Sequence, residues 1–243
     1  MTKIYVTVRV RNEQNRIESF CNAYKNADKI LVADGGSEDN TIELAKSFPN
    51  VEVRHFTGRT QLEKGYWRNN DSDHANFLFE WAREENPDWI LYDDCDCRPN
   101  RLLRENYRTL LEKCAQNYVM AVRLYVWGKS GEHFPHMAKP GEGNVYWEPS
   151  LYGWRGNLDF RTVDVPPAYT FRVGDHDIKS IQDEEGGALV LLPPYCLLHL
   201  SWEDEDFVTE KIKEYDESGL IPNMKHPLDF AGPLEDLPKW AVE

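Results

Sequence analysis

The chain has 243 residues, of which 41% are hydrophobic and 12% aromatic, and it carries a formal net charge of −14. That length and apolar content exclude a disordered chain and specify a sizeable folded core. The acidity weighs against nucleic acid as a partner, because a polyanion binder would need a basic face that survives this background.

Ile4 to Val10 is β-branched and alternating, which predicts a strand, and it ends in Arg9-Val10-Arg11-Asn12-Glu13. Ile17, Phe20, Cys21 and Tyr24 follow at helical spacing. Lys29 to Ala33 is a short apolar run suited to a strand covered on both faces. It stops at Asp34-Gly35-Gly36-Ser37-Glu38-Asp39-Asn40-Thr41, where the glycines make a tight turn and Asp39 or Asn40 caps a helix starting near Thr41. Leu44 and Phe48 face inward on that helix, and Val51 to Phe56 reads as a third strand. The order β-α-β-α-β predicts an open α/β sheet with right-handed crossovers. Ligands of such sheets bind beyond the carboxyl ends of the strands.

Residues 57–70 read as a loop with a local basic set, Arg59, Lys64 and Arg68, either a solvated face or a clamp for an anion. A helix follows with Ala75, Leu78, Phe79 and Ala82 on one face. Trp89-Ile90-Leu91-Tyr92 is then an apolar strand running into Asp93-Asp94-Cys95-Asp96. Pro99-Asn100 opens a helix bearing Leu103, Tyr107, Leu110, Leu111 and Cys114, and Tyr118 to Trp127 alternates as a strand. Residues 128–187 are rich in Gly, Pro, Trp, Tyr and His and read as a long functional loop region, with short strands at most around 144–147 and 161–165. His133 and His136 read as loop residues there, and Trp127, Trp147 and Trp154 suit either stacking on an acceptor sugar or packing in the core. Ala188 to Leu192 and Tyr195 to Leu200 are apolar runs split by Pro193-Pro194, residues 203–218 are helical with Val208, Ile212 and Tyr215 inward, and the proline-rich tail reads as an extended arm. The expected organisation is a nucleotide-binding half at 1–100, an acceptor-side half at 101–218 and a tail at 219–243.

Five cysteines, an odd number without CxxC spacing, read as reduced thiols rather than a zinc knuckle. Met1-Thr2-Lys3 leads straight into a strand without a signal pattern, and no apolar run is long enough to span a membrane. The expected location is therefore cytoplasmic, peripheral to a membrane if the acceptor lies there.

Three polar clusters, Arg11-Asn12-Glu13, Asp34-Gly35-Gly36 and Asp93 to Asp96, fall at strand ends on one edge of the sheet. Crowding like charges there is costly without a cation, and a hard divalent ion on carboxylates is the obvious counter-charge.

These same residues carry a family resemblance. Val8 to Glu13, Leu31 to Thr41 and Asp94-Cys95-Asp96 resemble the opening of the inverting family-two glycosyltransferases of GT-A fold, and the resemblance is best over residues 1–100. His199-Leu200-Ser201-Trp202, followed by Lys211 and Tyr215, is similar to the closing motif of the bacterial lipopolysaccharide-core subgroup. The resemblance implies a mixed α/β, Rossmann-like sheet, a nucleotide-sugar donor with UDP favoured, and Mn²⁺ or Mg²⁺ as cofactor. It implies that Asp34, with Gly35 beside it, binds the base or ribose, and that Arg11 and Glu13 line the same pocket. Asp94 and Asp96 match a DxD motif. Asp96 then holds the metal, Asp94 the metal or the ribose, and His199 completes the metal or diphosphate site. Asp93 and Cys97 depart from the family pattern, which puts the register of the motif in question; Asp93 is expected to support the site or touch the ribose. Arg68 and Lys211 are candidates for gripping phosphate.

Glycosyl transfer needs a stabilised leaving diphosphate and a base for the acceptor hydroxyl. Asp177, in Gly174-Asp175-His176-Asp177, is the leading candidate base, with Glu148 and Asp183 as rivals. The expected acceptor is a saccharide or another hydroxyl compound. Two other readings remain open on the residues alone: a nucleotidyltransferase acting on a sugar phosphate, and a non-catalytic carbohydrate- or calcium-binding module.

Overall fold

A computed structural model of the chain describes residues 1–61, 67–69, 71–127, 132–134, 149–165, 168–173, 176–177, 187–202, 205–217, 235–236 and 239. The first half alternates strand and helix: β1 (Ile4–Val10), α1 (Ile17–Ala23), β2 (Lys29–Asp34), α2 (Thr41–Lys46) and β3 (Val51–His55). A short hairpin follows, β4 (Arg59–Gln61) with β5 (Trp67–Asn69), then α3 (Asp71–Glu84), β6 (Trp89–Tyr92), β7 (Cys97–Pro99) and α4 (Arg101–Lys113). The second half is mostly strand: β8 (Tyr118–Trp127), β9 (Glu132–Phe134), β10 (Pro149–Arg155), β11 (Phe160–Val165), β12 (Ala168–Val173), β13 (His176–Asp177), β14 (Ala188–Leu191) and β15 (Leu197–Trp202). Helix α5 (Glu205–Glu217) and β16 (Glu235–Asp236) close the described chain.

Among the described residues the main sheet has 11 strands along the path β16-β9-β8-β10-β6-β1-β2-β3, with β14, β15 and β7 joined off it. β6, β1, β2 and β3 are parallel, and β10 joins them antiparallel, so the sheet is mixed. The register aligns Val10 with Asp34 and Asp34 with His55, which brings the carboxyl ends of three strands to one edge.

Period-two alternation sorts the strand residues between two cores. Ile4, Val6, Val8, Ile30, Val32, Trp89 and Leu91 pack on the α1, α2 and α4 side with Phe20, Tyr24, Leu103 and Tyr107. Tyr5, Leu31, Ala33, Ile90 and Tyr92 face the other side with Leu78, Phe79 and Trp81 of α3. Burial on both faces is what the unbroken apolar runs required. The α2 cap is supplied by Asp39, whose Oδ1 accepts from the Thr41 amide at 3.0 Å; Asn40 sits at the N-cap position without a side-chain cap bond. Asn100 caps α4 by accepting from the Leu103 amide at 3.0 Å.

The stretch 128–187 is richer in strand than expected. β10 lies between β8 and β6 at the centre of the sheet, where it is covered on both faces and needs no polar alternation. Its Gly153 faces Leu91 so closely that a Cβ would stand 2.5 Å from Leu91 Cδ2. Glycine there permits close packing, and to sequence reasoning it looked like a loop. Trp154 is 1% exposed and stacks on Phe160 at 3.9 Å, so it is a core residue and not a sugar platform. The strand expected around 144–147 and the residues Trp147, His136 and Lys64 lie outside the described residues, and the side chains of Trp127 and His133 are likewise not described. Part of the tail returns to the sheet, where β16 pairs antiparallel with β9.

Candidate active site

The loops after β1 and β2 are clasped to each other. Asn12, at φ 57, takes a left-handed turn that asparagine tolerates, and its Oδ1 accepts from the Glu38 amide at 2.8 Å. The Asn12 amide donates to Ser37 Oγ at 3.0 Å, and the Glu13 amide donates to Thr41 Oγ1 at 2.7 Å. Gly36, at φ 88, occupies backbone space that side chains avoid.

The acidic turn after β6 is fixed just as firmly. The Arg98 Nη1 donates to the carbonyls of Cys95 and Cys97, both at 2.6 Å, and its Nη2 donates to Arg16 O at 2.9 Å. From the far end of the chain, the Leu200 amide donates to Asp96 O at 2.7 Å. This bond sets β15, and with it His199, against the acidic turn.

These clasped loops border a cavity of about 390 Å³ lined by Arg9, Val10, Arg11, Glu13, Asp71, His74, Asp94, Cys95, Asp96 and His199. The expected site residues Arg11, Glu13, Asp94, Asp96 and His199 therefore meet in one place, although His199 is far along the sequence. His199 Nε2 lies 3.8 Å from Asp96 Oδ1. Asp94 faces the other way: Arg9 Nη2 stands 3.7 Å from its Oδ1, and Arg123 Nη1 stands 3.9 Å from its Oδ2. Arg9 is held in turn by Asp71, with Nη1 3.3 Å from Oδ1.

Asp93, expected either to support the site or to touch the ribose, sits behind the cavity. Its side chain is fully buried and does not line the cavity; the Tyr24 hydroxyl donates to its Oδ2 at 2.7 Å, and Arg123 Nη2 lies 3.6 Å from its Oδ1. Burial pushes the Asp93 carboxyl up to about 6, against the pull of Arg123 and the Tyr24 hydroxyl. Asp34 is 1% exposed and also lies off the cavity lining. Its Oδ1 accepts from the Ser37 amide at 2.9 Å and hydroxyl at 2.7 Å, and its Oδ2 is 2.8 Å from His55 Nδ1. Of these partners His55, 67% exposed, is the more open to solvent, Ser37 being half-buried.

Arg68, Asp177 and Lys211 sit on β5, β13 and α5, but their side chains are not described, and Glu148 and Asp183 lie outside the described residues. Sequence reasoning missed Arg9, Asp71, His74, Tyr24 and Arg123. The arginine at the penultimate position of an apolar strand was the available signal for Arg9. His74 is buried, its Nε2 lies 2.9 Å from Ala33 O, and its ring stacks on Phe56 at 4.5 Å. Burial, reinforced by the Arg9 charge, lowers it to about 4.

The sequence pattern of glycosyl transferase family 2 matches residues 6–164 of the 243. The chain belongs to glycosyl transferase family 2. Its mixed sheet with flanking helices is the Rossmann-like GT-A arrangement of such enzymes. Among solved structures it is similar to Staphylococcus aureus TarS residues 1–349 in complex with UDP-GlcNAc, at 15% identity and a TM-score of 0.51, over 93% of this chain and 69% of that one. Glucosyl-3-phosphoglycerate synthase from Mycobacterium tuberculosis, crystallised with Mn²⁺, UDP and glucosyl-3-phosphoglycerate, is similar at 19% identity and a TM-score of 0.43, over 65% of this chain and 58% of that one. TarS 1–349 with UDP aligns over 59% of this chain and only 38% of its own length, with 16% identity and a TM-score of 0.37. The chain thus spans between 38% and 69% of the length of these structures. No curated protein sequence matches it. Among the described residues, no helix of this family-two chain is long and apolar enough to cross a membrane.

Proposed function

We propose that the chain transfers a sugar from a nucleoside-diphosphate sugar, UDP-linked, to a hydroxyl acceptor, with inversion and with Mn²⁺ or Mg²⁺ as cofactor. The observation that carries the reading is the convergence of Arg11, Glu13, Asp94, Asp96 and His199 on one cavity at the carboxyl edge of β1 and β6. That is where an open α/β sheet presents ligands.

The donor set fits a divalent ion: a carboxylate and an imidazole 3.8 Å apart, each partly exposed at 18% and 15%. Asp96 and His199 would hold it, and a bound ion supplies Lewis-acid stabilisation to the departing diphosphate. Arg9 and Arg11 add fixed positive charge for the phosphates, while Arg9 and Arg123 orient Asp94. Glu13 lines the nucleotide side, with Asp34 and Gly35 forming the adjoining turn. Arg68 and Lys211 serve as further phosphate grips. Asp177, with Glu148 as its alternative, takes the acceptor hydroxyl proton on its carboxylate oxygen. UDP is favoured because residues 8–13 and 31–41 resemble the family's nucleotide-binding opening, and TarS, which shares the fold, was crystallised with UDP-GlcNAc. The acceptor is a saccharide or another hydroxyl compound. Nucleic acid is disfavoured by the net charge of −14. A location in the cytoplasm, peripheral to a membrane, suits such an acceptor.

Calorimetric titration of UDP in the presence of Mn²⁺ tests the reading. Wild type binds, and Asp96→Ala does not; undiminished metal-dependent binding in that variant would sink the assignment. Mass spectrometry of a nucleotide-sugar panel then identifies the donor. Pyrophosphate release from a nucleoside triphosphate plus a sugar phosphate would instead mark a nucleotidyltransferase.

A further inference from the structure

The Asp96–His199 pair has a third neighbour. Cys97 opens β7 directly opposite His199 in the antiparallel β7–β15 ladder. Residues directly opposite one another in such a ladder carry their side chains on the same face. Cys97 Sγ lies 3.7 Å from Asp96 Oδ1, and one ligand atom from each of Asp96, Cys97 and His199 lies within 4.8 Å of the others.

A buried free cysteine is ordinarily a small apolar filler. Cys97 is also fully buried, and burial is the main influence on its thiol, raising it well above its ordinary value. It differs from a filler in its neighbours: its sulfur lies against the Asp96 carboxylate, and the charges of Arg123, Asp93 and Asp94 act on it as well. The backbone that presents it is pinned by Arg98 on the Cys97 carbonyl at 2.6 Å and by the Leu200 amide on Asp96 O at 2.7 Å. Oxygen, nitrogen and sulfur donors thus converge from two hydrogen-bonded strands, with no long flexible side chain needed to close the set.

We propose that Cys97 is a ligand of this site, so that Asp96, Cys97 and His199 form a mixed oxygen, sulfur and nitrogen set that takes borderline and soft divalent ions such as Zn²⁺ and Cd²⁺ through sulfur. The inference rests on the reading of Asp96 and His199 as the metal-holding pair and adds the sulfur to it. Three protein donors with a further position open is the arrangement of catalytic zinc sites. Mg²⁺ avoids sulfur and keeps its water shell, so it gains nothing from Cys97. On binding, the Sγ–H bond breaks, a metal–sulfur bond forms and the proton leaves to the buffer; no electrons are transferred. Zn²⁺ outranks Mn²⁺ at nearly any nitrogen, oxygen or sulfur site, so affinity order is not diagnostic and sulfur ligation itself has to be read.

Cd²⁺ is the probe, titrated into the metal-free full chain and followed by near-ultraviolet thiolate-to-metal absorption, ¹¹³Cd NMR and calorimetry. The expected result is a charge-transfer band saturating at one equivalent and a ¹¹³Cd shift of a sulfur-ligated ion. The band is lost in Cys97→Ser and in His199→Ala. Cys97→Ser loses about tenfold or more in Cd²⁺ affinity while its Mn²⁺ affinity is little changed. Calorimetric Cd²⁺ binding without the band, or a band that persists in Cys97→Ser, overturns the role of Cys97 and leaves the Asp96–His199 pair standing. Failure of wild type to bind either Cd²⁺ or Mn²⁺, even with UDP present, removes the pair and the inference together. Should Cys97→Ser not fold, the ¹¹³Cd shift of the wild-type chain decides alone.

Discussion

Asp94 stands among cations, with Arg9 at 3.7 Å and Arg123 at 3.9 Å. Asp96, two positions on, stands beside His199 at 3.8 Å and Cys97 at 3.7 Å. One short acidic turn therefore has an arginine side and a side lined by an imidazole and a thiol. On the proposed reading the difference divides the labour of the motif: a carboxylate flanked by two guanidinium groups is a poorer cation site than one beside an imidazole and a thiol. Asp93, the extra acid, points inward and shares Arg123 with Asp94.

The sharpest test of this division is the Asp96 side. Asp96→Ala is expected to lower turnover by about 10²–10³-fold, because the charge-stabilising centre at the diphosphate is lost. Asp94→Asn should cost much less in Mn²⁺ affinity, as read by calorimetry. Equal losses of Mn²⁺ affinity in the two variants would erase the distinction between the two sides.

On the arginine side the largest effect is expected from Arg123. Arg123→Met leaves the buried Asp93 without its cation and should destabilise the fold by about 3 kcal/mol in urea unfolding. Adding Asp93→Asn to Arg123→Met should recover most of that loss, since the Asn retains an acceptor for the Tyr24 hydroxyl. A double variant no more stable than the single would mean that Arg123 acts through packing and not through its charge. Arg9→Gln is a milder lesion. Arg9 lines the cavity and is 15% exposed, so its loss should weaken UDP binding by about tenfold, equivalent to about 1.4 kcal/mol, and leave stability nearly unchanged.

How much of this was legible in the sequence follows from how local each signal is. The β-α-β-α-β order could be read because strands buried on both faces are apolar throughout and the helix faces repeat at Ile17, Phe20, Cys21 and Tyr24, all of which are buried. Asp94 and Asp96 stood out because acids ending an apolar strand have no bland packing explanation. The Arg9–Asp71 and Arg123–Asp93 contacts were not legible, because nothing local in the chain links their partners. Arg123 alternates with Val122 and Leu124 in β8, a pattern that carries no sign of a partner, whereas its side chain is only 16% exposed and lies beside Asp93. Trp154 was left open between the core and a sugar platform for the converse reason: it stands next to Gly153 in a stretch that looked like loop, and only the central position of β10 reveals it as core.

In wild type the smallest expected effect is the net change of stability with pH, because two buried groups near the site oppose each other. Burial raises Asp93 to about 6, so between the ordinary carboxylate range and pH 6 the folded state holds a proton that the unfolded chain has lost. That term lowers stability as pH rises through the window. His74 is lowered to about 4, so between pH 4 and its ordinary value near 6.5 the unfolded chain holds the extra proton. That term lowers stability as pH falls through nearly the same window, and it vanishes above pH 6.5. Each shift corresponds to about 3 kcal/mol when fully expressed, and the signs are opposite, so the two contributions largely cancel in wild type. Urea unfolding from pH 4 to 7 of wild type, Asp93→Asn and His74→Gln exposes them separately. Relative to wild type, Asp93→Asn should gain stability with rising pH, because only the His74 slope remains. His74→Gln should lose stability with rising pH across the same range. Parallel curves for all three proteins would show that neither burial shift is present and that the acidic turn owes its stability to its hydrogen bonds alone.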